Sequence, residues 1–323
     1  MDIILSIGSI IFWLVLLTFG WNVLVDGSVS LAKKFKISQA IIGLTIVAIG
    51  TSMPELVVSV LASISGNTEI AIGNVLGSNI ANIFLILGIS ACIAPIALSY
   101  TTRFFDLPIV ILTSIIFLIL VSDVFLDGLW INMIGRIDGI ILLATATIYI
   151  LYSVKHNNFI PDESEEVEII TSTWKAILWI IGGIIVLFIG WKILVDGSVN
   201  IAKYFWLSQA IIWLTVVAIG TSMPELATSV IAARRWNSDI AIGNVVGSNI
   251  MNIVVILGIS AMMTPLPFLN ASYIDLLVVI LAPIFLLLLS LVWTKNMLGK
   301  KEGILLIFGY TAYVLYRIFL EIS

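Results

Sequence analysis

Ala48-Ile-Gly-Thr-Ser-Met-Pro-Glu55 returns, letter for letter, as Ala218-Ile-Gly-Thr-Ser-Met-Pro-Glu225. Each copy sets one carboxylate inside a long apolar run, where an ionisable group costs at least ~2.5 kcal/mol and marks an ion or substrate path. Pro54 and Pro224 donate no N–H and displace the carbonyl four residues back. The turns Ala48 to Thr51 and Ala218 to Thr221 are therefore expected to offer free carbonyl oxygens beside the carboxylates. Within a bilayer such broken backbone survives only where protein covers it or it lines a cavity. Thr51 and Ser52 precede Glu55 by four and three residues, as Thr221 and Ser222 precede Glu225, so their oxygens share one helix face. A kinked helix with a single packing glutamate would explain one copy of this stretch. It does not explain two copies that each add Thr and Ser.

Working outward, the composition is that of a polytopic membrane protein: 61% of the 323 residues are hydrophobic and 11% charged, with a mean hydropathy of +1.19. Cys92 is the single cysteine, so no disulfide framework or thiolate metal site is expected, and His156 is the single histidine. Zinc-dependent intramembrane hydrolysis thus has no ligand set. Ser52 and Ser222 have no basic partner in their motif, which leaves an enzyme without support. Neither cofactor, nucleic acid nor protein partner is indicated. The N-terminus lacks a basic stretch before its apolar run, and that run reads as a span, not a cleaved signal.

Apolar runs of bilayer length fall near 4–26, 38–64, 71–97, 107–122 and 132–153, and again near 174–196, 208–233, 241–266, 273–293 and 303–320. The expected fold is all-α and integral to the membrane, with about ten transmembrane helices. Residues 1–153 form a first five-helix repeat and 174–323 a second, divided by a hydrophilic linker, 154–173, that carries Asp162, Glu163, Glu165, Glu166 and Glu168. The linker lacks the glycine and alternating aspartates of an EF-hand loop. Gly20-Trp-Asn-Val-Leu-Val-Asp-Gly-Ser28 returns as Gly190-Trp-Lys-Ile-Leu-Val-Asp-Gly-Ser198 at the same offset of 170 that relates Glu55 to Glu225, without a gap to Pro95 and Pro265. An odd number of helices separates equivalent points, so the repeats are expected to be inverted.

Charge supports that topology. With the N-terminus outside, the inner positions hold Lys33, Lys34, Lys36, Arg103, Lys155, Lys175, Arg234, Arg235, Lys295, Lys300 and Lys301, and the outer ones Arg136, Lys192, Lys203 and Arg317. This bias orients both termini outside and the linker in the cytoplasm. Between the repeats Lys33-Lys34-Phe35-Lys36 becomes Lys203-Tyr204-Phe205-Trp206, while Ser65-Gly66 becomes Arg235-Trp236. Positive charge follows the cytoplasmic side while the motif stays put.

After each glutamate motif comes Gly73-Asn-Val-Leu-Gly-Ser-Asn-Ile-Ala-Asn82 or Gly243-Asn-Val-Val-Gly-Ser-Asn-Ile-Met-Asn252. Asn74, Ser78 and Asn82, like Asn244, Ser248 and Asn252, are spaced by four and form a polar stripe. Gly73, Gly77, Gly243 and Gly247 let helices approach closely. Alone, such stripes could serve only to hydrogen-bond neighbouring helices. Beside the glutamate helices they look like the rest of a cage whose oxygens come from carboxylates, amides, hydroxyls and backbone. An all-oxygen set suits Ca²⁺ and Na⁺ over Zn²⁺ or Cu⁺.

The paired Gly-Thr-Ser-Met-Pro-Glu and Gly-Asn-x-x-Gly-Ser-Asn-x-x-Asn motifs resemble the α-repeats of the cation/calcium antiporter superfamily, and the chain resembles a prokaryotic Na⁺/Ca²⁺ exchanger over nearly its whole length. The resemblance implies that the second, third, seventh and eighth helices build the site, the second and seventh being broken there, and that the first and sixth slide across them to alternate access. It implies Glu55 and Glu225 as shared Ca²⁺ and Na⁺ ligands. Thr51, Ser52, Ser78, Asn82, Thr221, Ser222 and Ser248 would complete the sodium sites with carbonyls of Ala48, Thr51, Ala218 and Thr221. Asn252 stands where well-known exchangers carry Asp, leaving two carboxylates in place of three; as a neutral stand-in for a protonated acid it keeps a carbonyl ligand, and Asp there is expected to be tolerated and to add pH sensitivity. The expectation is an antiporter that exports Ca²⁺ against Na⁺ entry across a prokaryotic plasma membrane. Ca²⁺/H⁺ or other cation exchange, and a passive cation channel, remain as alternatives.

Overall fold

The computed structural model of the chain describes residues 19–20, 23–24, 26–27, 30–31, 34, 43–123, 131–156, 172–204, 218–269, 272–292 and 296–322. Of the expected features, residues 4–18, the acidic stretch 157–171 and residues 208–217 lie outside these. The described chain is helical with four two-residue strands. In order come α1 (Gly43–Thr51), α2 (Met53–Ile64), α3 (Thr68–Ile93), β1 (Ile96–Ala97), α4 (Thr102–Leu120), β2 (Met133–Ile134) and α5 (Arg136–His156). Then follow α6 (Thr173–Tyr204), α7 (Ala218–Thr221), α8 (Met223–Arg234), α9 (Ser238–Met263), β3 (Leu266–Pro267), α10 (Ser272–Val292), β4 (Met297–Leu298) and α11 (Lys300–Ile322).

Among the described residues six unbroken helices are long and apolar enough to cross a membrane, and α1 with α2 makes a seventh span bent by 54°. The bend falls at Ser52, just before Pro54, where the missing N–H leaves the carbonyl of Gly50 without its helical donor. The expected runs 71–97 and 241–266 ended too late. Ala94 and Thr264 are extended, with φ −146° and −145°, because each precedes a proline that disfavours helix in the residue before it. The apolar residues beyond are strand. Residues 133 and 134, read as the start of a span, likewise form β2. In contrast α6 continues to Tyr204, well past 196. Its 32 residues measure about 48 Å at 1.5 Å per residue, against a hydrocarbon core of about 30 Å.

The strands fix the direction of the helices. β1 pairs with β4, Ile96 opposite Leu298, and β2 pairs with β3, Ile134 opposite Leu266. Leu98 N donates to Asn296 O and Phe268 N to Asn132 O, both at 2.8 Å. α3 runs into β1, and the amide of Ala97 donates to Ser238 Oγ at 3.0 Å, so α3 ends where α9 begins. α4 leads away from β1, and just beyond its end Asp123 accepts from Met133 N at 2.8 Å, placing β2 and its partner β3 at the opposite end. α9 runs into β3, so α3 and α9 are antiparallel. Arg103, Arg235 and Lys300 adjoin the β1–β4 end, and Arg136 adjoins the β2–β3 end.

α3 and α9 are also the centre of the molecule, 67% and 83% buried over their most apolar stretch, against 28% for α5 and 11% for α11. Their core includes Ile72, Val75, Leu76, Ile80, Val245, Val246 and Ile250. Ile140, Ile148, Phe308 and Phe319 of the outer helices are exposed, which lipid can cover without cost. Gly247 lets α9 lie against α1: a Cβ there would stand 2.5 Å from Leu44 O and 2.7 Å from Leu44 Cα.

Candidate cation site

Glu55 and Glu225 open the first turns of α2 and α8 and are fully buried. A carboxylate at a helix N-terminus is favoured by the unpaired N–H groups there. Ser52 and Ser222 occupy the N-cap positions, yet neither caps its own helix. Each crosses to the other repeat. Ser52 Oγ donates to Glu225 Oε1 at 2.9 Å, and Ser222 Oγ to Glu55 Oε1 at 3.3 Å. Ser248 Oγ also donates to Glu225 Oε1, at 3.4 Å.

The threonines cross in the same way. Thr51 Oγ1 donates to Asn244 Oδ1 at 2.9 Å and Thr221 Oγ1 to Asn74 Oδ1 at 3.4 Å. Asn74 and Asn244 turn their amides toward the glutamate helices of their own repeats, donating to the backbone carbonyls of Glu55 and Glu225 at 3.3 and 3.2 Å. They also donate to Ser59 Oγ and Ser229 Oγ, both at 3.0 Å. These two asparagines therefore fasten helices together, the plainer of the two roles a polar stripe can have. Ser78 Oγ donates to Asn74 O at 2.8 Å and accepts from Asn252 Nδ2 at 3.1 Å.

One expectation needs correction. The carbonyl of Ala48 is not wholly freed: it accepts from Ser52 N at 3.0 Å, while Thr51 Oγ1, 3.2 Å away, has only one proton and lies closer to Asn244 Oδ1, so one lone pair of Ala48 O stays available. The turn that Pro54 opens is that of Gly50. Ala218 occupies the matching position at the start of α7.

What remains is a set of oxygens with nothing to accept. Among the described residues, Glu55 Oε2, Glu225 Oε2, Asn82 Oδ1 and Asn252 Oδ1 are buried and find no hydrogen-bond partner, and neither glutamate is paired with a cationic side chain. They form two pairs related by the 170-residue offset. A buried carboxylate with no counter-charge costs several kcal/mol, a cost that a bound cation or a proton relieves. Two carboxylates with neutral amide and hydroxyl oxygens match the all-oxygen preference of Ca²⁺ and Na⁺; among the described residues no group of three or more His, Cys, Asp or Glu offers an alternative metal centre.

The structure thus gathers Glu55, Glu225, Thr51, Thr221, Ser52, Ser222, Ser78, Ser248, Asn82 and Asn252 into one linked cluster. Sequence reasoning missed Asn79, Asn249, Ser59, Ser229 and Thr228. Asn79 and Asn249 lie one residue off the four-residue stripe, yet their doubling was visible; Ser59 and Ser229 follow each glutamate by four. Thr228 replaces Val58 of the first repeat, and its Oγ1 is buried without a partner one turn beyond Glu225.

Comparison with known proteins bears on the same residues. A family described as sodium/calcium exchanger protein matches residues 5–155 and 175–319. The chain is 35% identical over 309 residues to the putative antiporter CaxA of Alkalimonas amylolytica, covering 93% of this chain and 94% of that one. It is 31% identical over 336 residues to the sodium/calcium exchanger MaX1 of Methanosarcina acetivorans, covering 93% and 95%. Solved structures of the sodium-calcium exchanger NCX_Mj of Methanocaldococcus jannaschii superpose on it with a TM-score of 0.82 at 32% identity, over 97% of this chain and 99% of that one. The match spans both halves, and with them both copies of the glutamate and asparagine motifs, so the chain belongs to the sodium/calcium exchanger family.

Proposed function

We propose that this protein is a secondary antiporter that exchanges Na⁺ for Ca²⁺ by alternating access and, in the cell membrane, exports Ca²⁺ at the expense of Na⁺ entry. The observation that carries the reading is the buried set of four oxygens, two of them carboxylate, that among the described residues have no hydrogen-bond donor and no cationic side chain beside the glutamates. Glu55 and Glu225 are the shared ligands. Thr51, Thr221, Ser52, Ser222, Ser78 and Ser248 offer hydroxyl lone pairs, and Asn82 and Asn252 their amide oxygens. Ala48 and, by the repeat, Ala218 offer backbone carbonyl oxygens, of which Ala48 O has one lone pair taken by Ser52 N. The relative NCX_Mj has been solved after soaking with Na⁺, Ca²⁺ or Sr²⁺, which supports a site for these ions in the shared fold.

The domain division at 154–173, the cytoplasmic linker and the external termini belong to the same proposal, supported by the cluster of Arg103, Arg235 and Lys300 at one end of the bundle. Uptake of ⁴⁵Ca²⁺ into sodium-loaded proteoliposomes tests the function. Uptake is expected with an outward Na⁺ gradient, and not with a proton gradient in sodium-free medium. Uptake driven by protons alone would make it a Ca²⁺/H⁺ antiporter, and flux indifferent to Na⁺, H⁺ and Ca²⁺ on the far side would make it a channel.

A further inference from the structure

We infer that Asn79 and Asn249 are positioning residues: they dictate which end of the Asn252 and Asn82 carboxamides faces the cations, and through them the balance between Ca²⁺ and Na⁺ binding. The inference rests on the exchange reading above. Asn79 and Asn249 each follow the stripe serine by one residue, about 100° around the helix, and so point from α3 and α9 toward each other. Asn79 Nδ2 donates to the backbone carbonyl of Asn249 at 3.0 Å, and Asn249 Nδ2 to that of Asn79 at 3.1 Å. A backbone carbonyl only accepts, so these amides cannot turn over. Their Oδ1 atoms are thereby presented as acceptors. Asn252 Nδ2 donates to Asn79 Oδ1 at 3.0 Å and Asn82 Nδ2 to Asn249 Oδ1 at 2.9 Å.

The consequence lies at the far end of each carboxamide. With Nδ2 committed to Asn249 in Asn82, and to Asn79 together with Ser78 Oγ in Asn252, the oxygens of Asn252 and Asn82 are turned the other way, and these are two of the four buried oxygens without a donor. A carboxamide with no such anchor can rotate by half a turn and present its NH₂ dipole, which repels a cation. Ion–dipole energy scales with charge, and Ca²⁺ gathers six to eight oxygens, so a reversed amide weighs more on Ca²⁺ than on Na⁺. The couplings are crossed between repeats: residue 79 governs 252, and residue 249 governs 82.

That crossing supplies the test. Asn79→Leu removes both donor and acceptor at residue 79. In Na⁺-dependent ⁴⁵Ca²⁺ uptake it is expected to weaken apparent Ca²⁺ affinity about tenfold, a size within the usual range of contact couplings, while apparent Na⁺ affinity and the maximal rate stay within about threefold. On an Asn252→Ala background, where no carboxamide is left to orient, Asn79→Leu should have no further effect; on an Asn82→Ala background its effect should multiply in full. A merely structural role would lower stability and multiply on both backgrounds. Asn249→Leu with Asn82→Ala repeats the cycle in the other half, should Asn79→Leu not purify folded. If wild-type protein exchanges and the Ca²⁺ to Na⁺ affinity ratio is unchanged in the variants, or if the Asn79 and Asn252 effects multiply, the inference is overturned and exchange stands. If wild-type protein shows no exchange, both fall.

Discussion

Glu55 and Glu225 each commit one carboxylate oxygen to a serine of the opposite repeat and leave the other without a donor. Replacing either by Gln keeps the shape and removes one of two charges. Na⁺-dependent Ca²⁺ uptake should be nearly abolished in both variants. Without ions, however, the variant should melt no lower than wild type, because an uncompensated buried charge has been removed. Wild type should gain about 2.7 kcal/mol at a Ca²⁺ concentration one hundred times its dissociation constant, and the variants should lose that gain. Thermal denaturation with and without Ca²⁺ measures both, and equal stabilisation of Glu225→Gln would remove it from the site. Asn252 was expected to accept replacement by Asp. The geometry makes that conditional, since Nδ2 donates to Ser78 Oγ and to Asn79 Oδ1. An ionised Asp can do neither and leaves Asn79 Oδ1 buried without its donor, a loss of about 1–3 kcal/mol; only the neutral acid can supply one of the two donors. Asn252→Asp should therefore lose more melting temperature than wild type as pH is raised.

At the scale of elements, the site depends on how closely α9 lies against α1. Gly247→Ala would drive a methyl group into Leu44 O, Leu44 Cα and the Ala48 side chain, all within 2.8 Å. Overpacking of this kind costs about 1–3 kcal/mol, and because the atoms met are largely backbone, α1 must move and carry Thr51 with it. A lower melting temperature and a loss of Ca²⁺ affinity are expected together; normal affinity in the variant would mean that α1 can shift without disturbing the site. This contact also marks the limit of what the sequence discloses. The doubled glutamate stretch and the four-residue stripe were legible because helical spacing alone puts those oxygens on one face. The strands were not: Ile96 and Leu266 are apolar like the spans before them, and their pairing with Leu298 and Ile134 joins residues far apart in the chain. Nor were the π-helical turns at Asn82–Ile86 and Asn252–Leu257, or the crossing of each serine and threonine to the other repeat. Propensity acts on neighbours, whereas these features arise only when the halves meet.

Across the whole molecule, antiparallel α3 and α9 bring the same oxygens to the centre from both sides, and the internal two-fold relation is closer here than an aspartate at 252 would allow, because Asn82 and Asn252 are the same residue type and each donates Nδ2 to the asparagine three residues before its counterpart, Asn249 or Asn79, although Asn252 alone also donates to Ser78. That symmetry fixes the charge of the pocket at −2, from Glu55 and Glu225. One Ca²⁺ neutralises it; three Na⁺ leave it at +1. We therefore expect exchange of three Na⁺ for one Ca²⁺, moving one net positive charge in the direction of Na⁺. In sodium-loaded proteoliposomes Ca²⁺ uptake then carries positive charge outward, so an inside-positive potential imposed with K⁺ and valinomycin should accelerate it. At equilibrium and zero potential the Ca²⁺ concentration ratio should follow the cube of the Na⁺ ratio. A square dependence with no response to voltage would mean an electroneutral cycle of two Na⁺, in which the two glutamates are neutralised equally by either cargo and the missing carboxylate has taken a sodium site with it.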